Sequence, residues 1–330
     1  MDRLRRNLGL ALRLFISGGI LWWLSRRIDW AQMGEEFARA GHRPGWILLA
    51  ALAMGLVLAL TAWRWQRLLR IHHIEPGFSH VFQVTMIGQF FNAFLLGTTG
   101  GDVVKILYIV RSAPRKKGAA GLSVVVDRVI GLVALVLITL ALAFVYHRYL
   151  TATPAAVRAL ATFCAIAAGI GGVLAGAALL PWLMHFTNFA AWERRLPFHE
   201  RIERLGETLR HQSRARRVNA QAFLLSIASH GLTLFAQYAV TRALGIELSL
   251  GVVAAVAGVV NVLIAVPVSV AGLGVRESLF VLFLGLGGVS DEAAVAASLI
   301  GFALTLFWSV VGGLFYLRYR HPLHLEEVAA

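Results

Sequence analysis

The sequence predicts an all-α polytopic membrane protein, with about six transmembrane helices and two broken re-entrant hairpins in an inverted repeat. Three observations carry that expectation. The 330-residue chain is 58% hydrophobic and only 15% charged. Its mean hydropathy is +0.72, and several apolar runs approach the roughly twenty residues that cross a bilayer core. Next, the stretch from Gly88 to Arg111, GQFFNAFLLGTTGGDVVKILYIVR, is apolar but interrupted by Gly97-Thr98-Thr99-Gly100-Gly101 and then by Asp102 and Lys105. The limb left after the glycines, Val103 to Val110, covers about 12 Å, far short of a core about 30 Å thick. It therefore turns back. Finally, a second interruption, Ala271-Gly272-Leu273-Gly274 followed by Arg276-Glu277, comes about 170 residues later, as in folds built from inverted repeats with paired broken helices.

Taken in order, the first span runs from about Leu8 to Leu24, with Arg13 near its start. Arg3, Arg5 and Arg6 precede it, but Arg26 and Arg27 follow in place of a small-residue cleavage site, so the span reads as uncleaved. Asp29 to Ala40 reads as a short surface helix. The second span, Gly45 to Ala62, is closed by Trp63-Arg64-Trp65-Gln66-Arg67, which reads as an aromatic and cationic interface anchor. Pro76 to Leu96 opens the first broken hairpin. A third span covers about Leu122 to Tyr146 and holds Asp127-Arg128. A fourth covers about Val157 to Leu183 and is rich in the small residues that let helices approach closely. Residues 185–218 carry eight Arg against four Glu, with Phe198, Ile202, Leu205 and Leu209 at helical spacing. This predicts a basic amphipathic helix lying on anionic lipid. The fifth span, Ala220 to Leu244, carries His230 and Gln237. Leu250 to Gly288 holds the second break, and Glu292 to Leu317 the last span.

The formal net charge is +14. Its Lys and Arg residues sit in short clusters between apolar runs, the positive-inside pattern, so nucleic acid is not the expected partner. With a cytoplasmic N-terminus, loops 64–75, 111–117, 185–218 and 318–320 fall on the cytoplasmic side; the 26–44 loop is the exception. The chain then forms one integral membrane domain with pseudo-repeats of about 1–150 and 151–330, in a bacterial-type inner membrane. The single cysteine, Cys164, gives no disulfide framework and reads as an inert core thiol.

The breaks are the candidate site. Asp102 is placed to cap a helix beginning at Val103, after Gly100 and Gly101 free the backbone to turn. The exposed N–H groups there, with Lys105 one turn in, would attract a lipid phosphate. Gly272, Gly274, Arg276 and Glu277 repeat the arrangement. Asp127 and Arg128 are charges inside an apolar run, which face an interior partner or a pathway. Adjacent helical residues point apart, so Asp127 is expected to pair with Lys105 or Arg276, and Arg128 with Glu277. Both could instead snorkel at the interface. Asn92 and Asn261 precede the two breaks, where each could bond the unwound backbone or a headgroup. His230 and Gln237 share one helix face and suit interhelical bonding. No HExxH, GxSxG, Walker A or CxxC motif is present.

The segments NAFLLGTTGGDVVKILYIVR, SVVVDRVIGL and VPVSVAGLGVRES resemble the lysylphosphatidylglycerol synthase transmembrane-region family, also called flippase-like domain proteins. The likeness covers nearly the whole chain. It implies moving an aminoacylated phospholipid, or a polyprenyl- or hopanoid-type lipid, between leaflets without a cofactor. Family members fused to a soluble aminoacyl-transferase domain make such lipids, and that domain is not found in these residues. Two rivals stand beside transport. One is a membrane-embedded transferase with Asp102 or Glu277 as base, and the other a scaffold binding lipid-biosynthesis enzymes through residues 185–218.

Overall fold

A computed structural model of the protein describes residues 17–94, 100–112, 116–186, 208, 211–266 and 272–319. Most of the first span, the Gly97-Thr98-Thr99 part of the first break, Pro267 to Ala271 and the amphipathic pattern at 198–209 lie outside these residues. Every regular element among the described residues is a helix. They are α1 (17–25), α2 (Trp30–Gly41), α3 (Pro44–Ile71), α4 (Phe78–Phe94), α5 (Gly100–Ser112) and α6 (Lys117–Val145). There follow α7 (His147–Leu150), α8 (Pro154–Phe186), α9 (Arg216–Ala243), α10 (Leu250–Ala265), α11 (Val275–Gly285) and α12 (Asp291–Arg318).

Local chemistry explains the helix starts. The Asp29 carboxylate accepts the N–H groups of Ala31 and Gln32 and opens α2. The hydroxyls of Ser249 and Ser290 do the same for α10 and α12. Each satisfies donors that a helix cannot bond internally. Pro44 sits at the first position of α3, where its missing N–H costs nothing.

Among the described residues, five helices are long and apolar enough to cross a membrane: Pro44–Ile71, Lys117–Val145, Pro154–Gly176, Arg216–Ala243 and Asp291–Arg318. Helix α10, sixteen residues long, is apolar but shorter. Large apolar side chains stand outward, among them Phe144, Val173 and Leu317 at 82%, 73% and 77% exposure. Such a surface needs lipid as its solvent. Cys164 is exposed on α8, correcting its reading as a core thiol. Only 6% of the apolar window of that helix is buried inside the chain, so its apolar run faces outward.

The helices fall into two sets of four with matching neighbours. Helices α3, α4, α5 and α6 correspond in order to α9, α10, α11 and α12. Helix α3 packs on α4, and α9 on α10; α4 on α5, and α10 on α11; α5 on α6, and α11 on α12. Across the sets α4 packs on α12 and α10 on α6, while α3 and α9 pack on each other. Small residues permit the closest approaches. A methyl on Gly312 of α12 would strike the Met86 carbonyl of α4, and one on Gly251 of α10 would strike the Tyr146 hydroxyl.

Helix α3 runs on through Trp63–Arg67 without ending, and Arg64, Trp65 and Gln66 are buried. The interface-anchor reading therefore fails for Arg64, Trp65 and Gln66; the Arg67 guanidinium lies 5.5 Å from the Trp63 indole. Beyond α3, His72 donates Nε2–H to Gln212 Oε1 at 2.9 Å, since the Gln212 amide nitrogen is engaged by Asn219. Burial pushes the His72 pKa below its ordinary 6.5, with His211, His73 and Lys116 lowering it further against the Gln212 bond. The folded state thus holds a neutral imidazole that the unfolded chain protonates more readily. Stability from this group is present above pH 6.5 and is lost as pH falls through it. The melting temperature in detergent is expected to drop between pH 7.5 and 5.5, and less so in His72→Gln. Equal drops in both proteins would overturn this account.

Candidate functional site

At the first break, α4 and α5 pack as a tight helical hairpin. Helix α5 begins at Gly100, and the Gly101 N–H donates to Asn92 Oδ1 at 2.9 Å. A helix's first N–H groups lack internal partners, so Asn92 of the incoming limb supplies one. A methyl on Gly101 would collide with the Gly88 carbonyl and the Asn92 amide, and one on Gly88 would lie 2.8 Å from Lys105 Cε. Glycine at both places is what lets the limbs touch.

Asp102 does not cap a helix starting at Val103. It lies inside the first turn of α5, and its carboxylate accepts Arg128 Nε at 2.8 Å and Nη2 at 2.9 Å. Asp127 pairs with neither Lys105 nor Arg276; it accepts Arg64 Nε at 2.7 Å and Nη2 at 2.9 Å. Arg64 Nη1 donates to Ser226 Oγ of α9 at 2.8 Å. Both side chains of this pair are over nine-tenths buried. Sequence reasoning missed Arg64 because an Arg between two Trp looks like an interfacial belt. The signal was its phase: two residues beyond the end of a span, it remains on a continuous helix.

Lys105 is 8% exposed. Its ammonium lies 5.5 Å from the Trp65 ring centroid, within cation–π range. Among the described residues it has no hydrogen-bonded or ion-paired carboxylate. Arg64, Lys105 and Arg128 thus meet two carboxylates, Asp102 and Asp127, and the cluster carries one excess positive charge beside the first break.

The second break uses left-handed backbone, with φ of 75° at Gly272 and 84° at Gly274. Glu277 closes it. Its Oε2 accepts the Gly274 N–H at 2.6 Å, while Oε1 accepts the Ser298 hydroxyl at 2.9 Å and Arg276 Nη2 at 2.7 Å. Arg276 therefore pairs with its own neighbour, not with Asp127; Arg128 likewise pairs with Asp102, not with Glu277. The Arg276 guanidinium also stacks 4.7 Å from the Phe302 centroid.

A cavity of about 370 Å³ joins the two hairpins. Gln89 and Asn92 reach it from α4, Gln237 from α9, Asn261 from α10, Arg276 from α11 and Ser298 from α12. The fold thus brings Asn92, Asn261 and Arg276 together, as the paired-break reading expects. The Asp102–Lys105–Asp127–Arg128 group does not line this cavity. Gly272 and Gly274 shape the second break from behind it, with Gly274 packed on Ile20 of α1. Gln89 and Gln237 complete the lining; Gln237 reads from the sequence as an interhelical bonding residue.

The profile of the lysylphosphatidylglycerol synthase TM region family matches residues 10–313. The chain belongs to that family. It is also 24% identical over 283 residues to a UPF0104 membrane protein of Methanothermobacter thermautotrophicus, covering 81% of this chain and 82% of that one. It is an integral membrane protein.

In this member of the lysylphosphatidylglycerol synthase TM region family, His230 and Gln237 do hold helices together. His230 Nε2 donates to the Gly131 carbonyl at 2.9 Å, and the Gln237 amide to that of Ala297 at 3.2 Å. Glu277, 1% exposed, serves the backbone of its own break. Glu277→Gln should keep the shape but leave Arg276 uncompensated, costing about 2–4 kcal/mol of stability. Unfolding in mixed micelles measures this, and a loss under about 0.5 kcal/mol would remove Glu277 from that role.

Proposed function

We propose that this protein binds a lipid headgroup at the junction of its two broken hairpins and moves it between leaflets. The observation that carries this reading is the cavity into which Gln89, Asn92, Asn261 and Arg276 reach from both hairpins, inside an otherwise apolar helical body. Polar side chains in such a body are costly, and they collect where a pathway needs them. The excess positive charge at the neighbouring α5 N-terminus suits a phosphate. The matched neighbour pattern of α3–α6 and α9–α12 supports an inverted repeat, in which re-entrant hairpins from opposite sides would present one binding place alternately to each leaflet. In this reading the N-terminus is cytoplasmic in an inner membrane, and the arginines of 185–218 rest on anionic lipid.

The carboxylate geometry favours transport over a transferase. A general base needs a free lone pair near its substrate, whereas Asp102 holds Arg128 bidentately and Glu277 accepts three groups. The test is native mass spectrometry with lipid analysis on the wild type beside a Lys105→Ala/Arg276→Ala variant. One lipid class should be enriched on the wild type and lost from the variant. Enrichment unchanged by the variant would sink the headgroup site and favour a scaffold.

A further inference from the structure

Resting on the transport reading, the geometry points to a headgroup class: a hydroxyl-bearing, non-cationic headgroup, and not an aminoacylated one. Among the described residues, no carboxylate lines the cavity joining the hairpins. Glu277, next in sequence to Arg276, has Oε2 on the Gly274 N–H and Oε1 on Arg276 and Ser298. Asp127 and Asp102 are bound bidentately by Arg64 and Arg128. An aminoacylated headgroup carries at least one ammonium, and a lysyl one carries two. Brought here, it would leave water for a place whose one lining charge among the described residues is the Arg276 guanidinium. A charge desolvated without a partner is strongly disfavoured.

The neutral groups are matched to hydroxyls. The Gln89 amide donates one N–H to Ser309 and the Gln237 amide one to the Ala297 carbonyl, so each keeps a carbonyl oxygen and a second N–H for a ligand. Asn92 is reversed: its oxygen is engaged by the Gly101 N–H, which leaves the amide nitrogen to donate. Arg276 uses Nε and Nη2 on Glu277 and Ser298, while its Nη1 meets no acceptor among the described residues. The lining thus offers donors and acceptors together. A hydroxyl both donates and accepts, so a polyol satisfies such a wall, whereas an ammonium, which can only donate, does not. Glycerol, inositol and sugar headgroups share this chemistry.

The experiment offers the purified full chain an equimolar mixture of phosphatidylglycerol, lysyl-phosphatidylglycerol and monoglucosyl diacylglycerol. Bound lipid is counted by native mass spectrometry. The hydroxyl lipids are expected to be retained roughly tenfold or more over the lysyl lipid. Phosphatidylglycerol above the glucosyl lipid would assign Nη1 to a phosphate oxygen, and the reverse order would assign it to a sugar hydroxyl. Equal retention of all three, or a lysyl preference, overturns the inference. Gln89→Glu places a carboxylate in the wall, beside a Ser309 hydroxyl whose proton is held by the Thr305 carbonyl, so it is left to pair with a bound cation. It should shift the ratio roughly tenfold toward the lysyl lipid, and an unchanged ratio would put the selection elsewhere. Flux of the same lipids, acyl-labelled with a fluorophore that dithionite bleaches, is read separately in proteoliposomes. Selective binding without flux would reject transport and keep the headgroup assignment. Flux of all three at one rate would do the opposite.

Discussion

Asp127→Ala is expected to destabilise the protein by about 3–5 kcal/mol, because it leaves the Arg64 guanidinium charged and buried without its carboxylate. Arg64→Ala should cost a similar amount by stranding Asp127. Neither side chain can escape to water, as they are 8% and 7% exposed, and α3, α6 and α9 close around them. The double variant Arg64→Met/Asp127→Leu removes both charges, and Ser226 keeps its bond to the Ala222 carbonyl. Its stability should return to within about 1.5 kcal/mol of wild type, since well-packed apolar residues often replace a buried pair without loss. Unfolding by denaturing detergent in mixed micelles measures all four proteins. Additive losses in the double variant would mean that the two residues are not coupled.

Gly101→Ala should have the second large effect. Its methyl meets a backbone oxygen, that of Gly88, and the Asn92 amide that caps the same helix. Backbone cannot swing aside, so the two limbs must part, at a cost of about 1–3 kcal/mol or more, with loss of lipid binding. Gly88→Ala meets the Lys105 side chain first and the Gly101 carbonyl only at 3.1 Å, so it should be milder. Gly121→Ala on α6 meets nothing within 4 Å and should be neutral or slightly stabilising, as alanine is the better helix former. The expected order of damage is Gly101, then Gly88, then Gly121. Melting curves of the three variants in detergent decide it, and equal melting points for Gly101→Ala and Gly121→Ala would refute the tight hairpin.

The rank of helices, their apolar character and both interruptions were legible from residue patterns alone. Length against bilayer thickness is a one-dimensional constraint, and glycines followed by charges inside an apolar run break it visibly. Asn92 and Asn261 could be singled out for the same reason, as amides on apolar limbs just ahead of a break. Charge pairing was not legible. Asp127 bonds Arg64, 63 residues away, and Asp102 bonds Arg128, 26 residues away. Nothing in spacing says which helix faces bring them within 3 Å. The misreading of Arg64 shows why: a cation beside two Trp suits an interface if the helix stops there, and only the continuation of α3 to Ile71 turns it inward. The sequence by itself determined a helical membrane body with two weakened places in it. The tertiary structure decided that side chains flanking these places, Asn92, Asn261 and Arg276, line one cavity, and that Asp102, Asp127 and Glu277 are already held by arginines. Backbone propensity and solvent act along the chain, whereas electrostatic partners are chosen by packing across it.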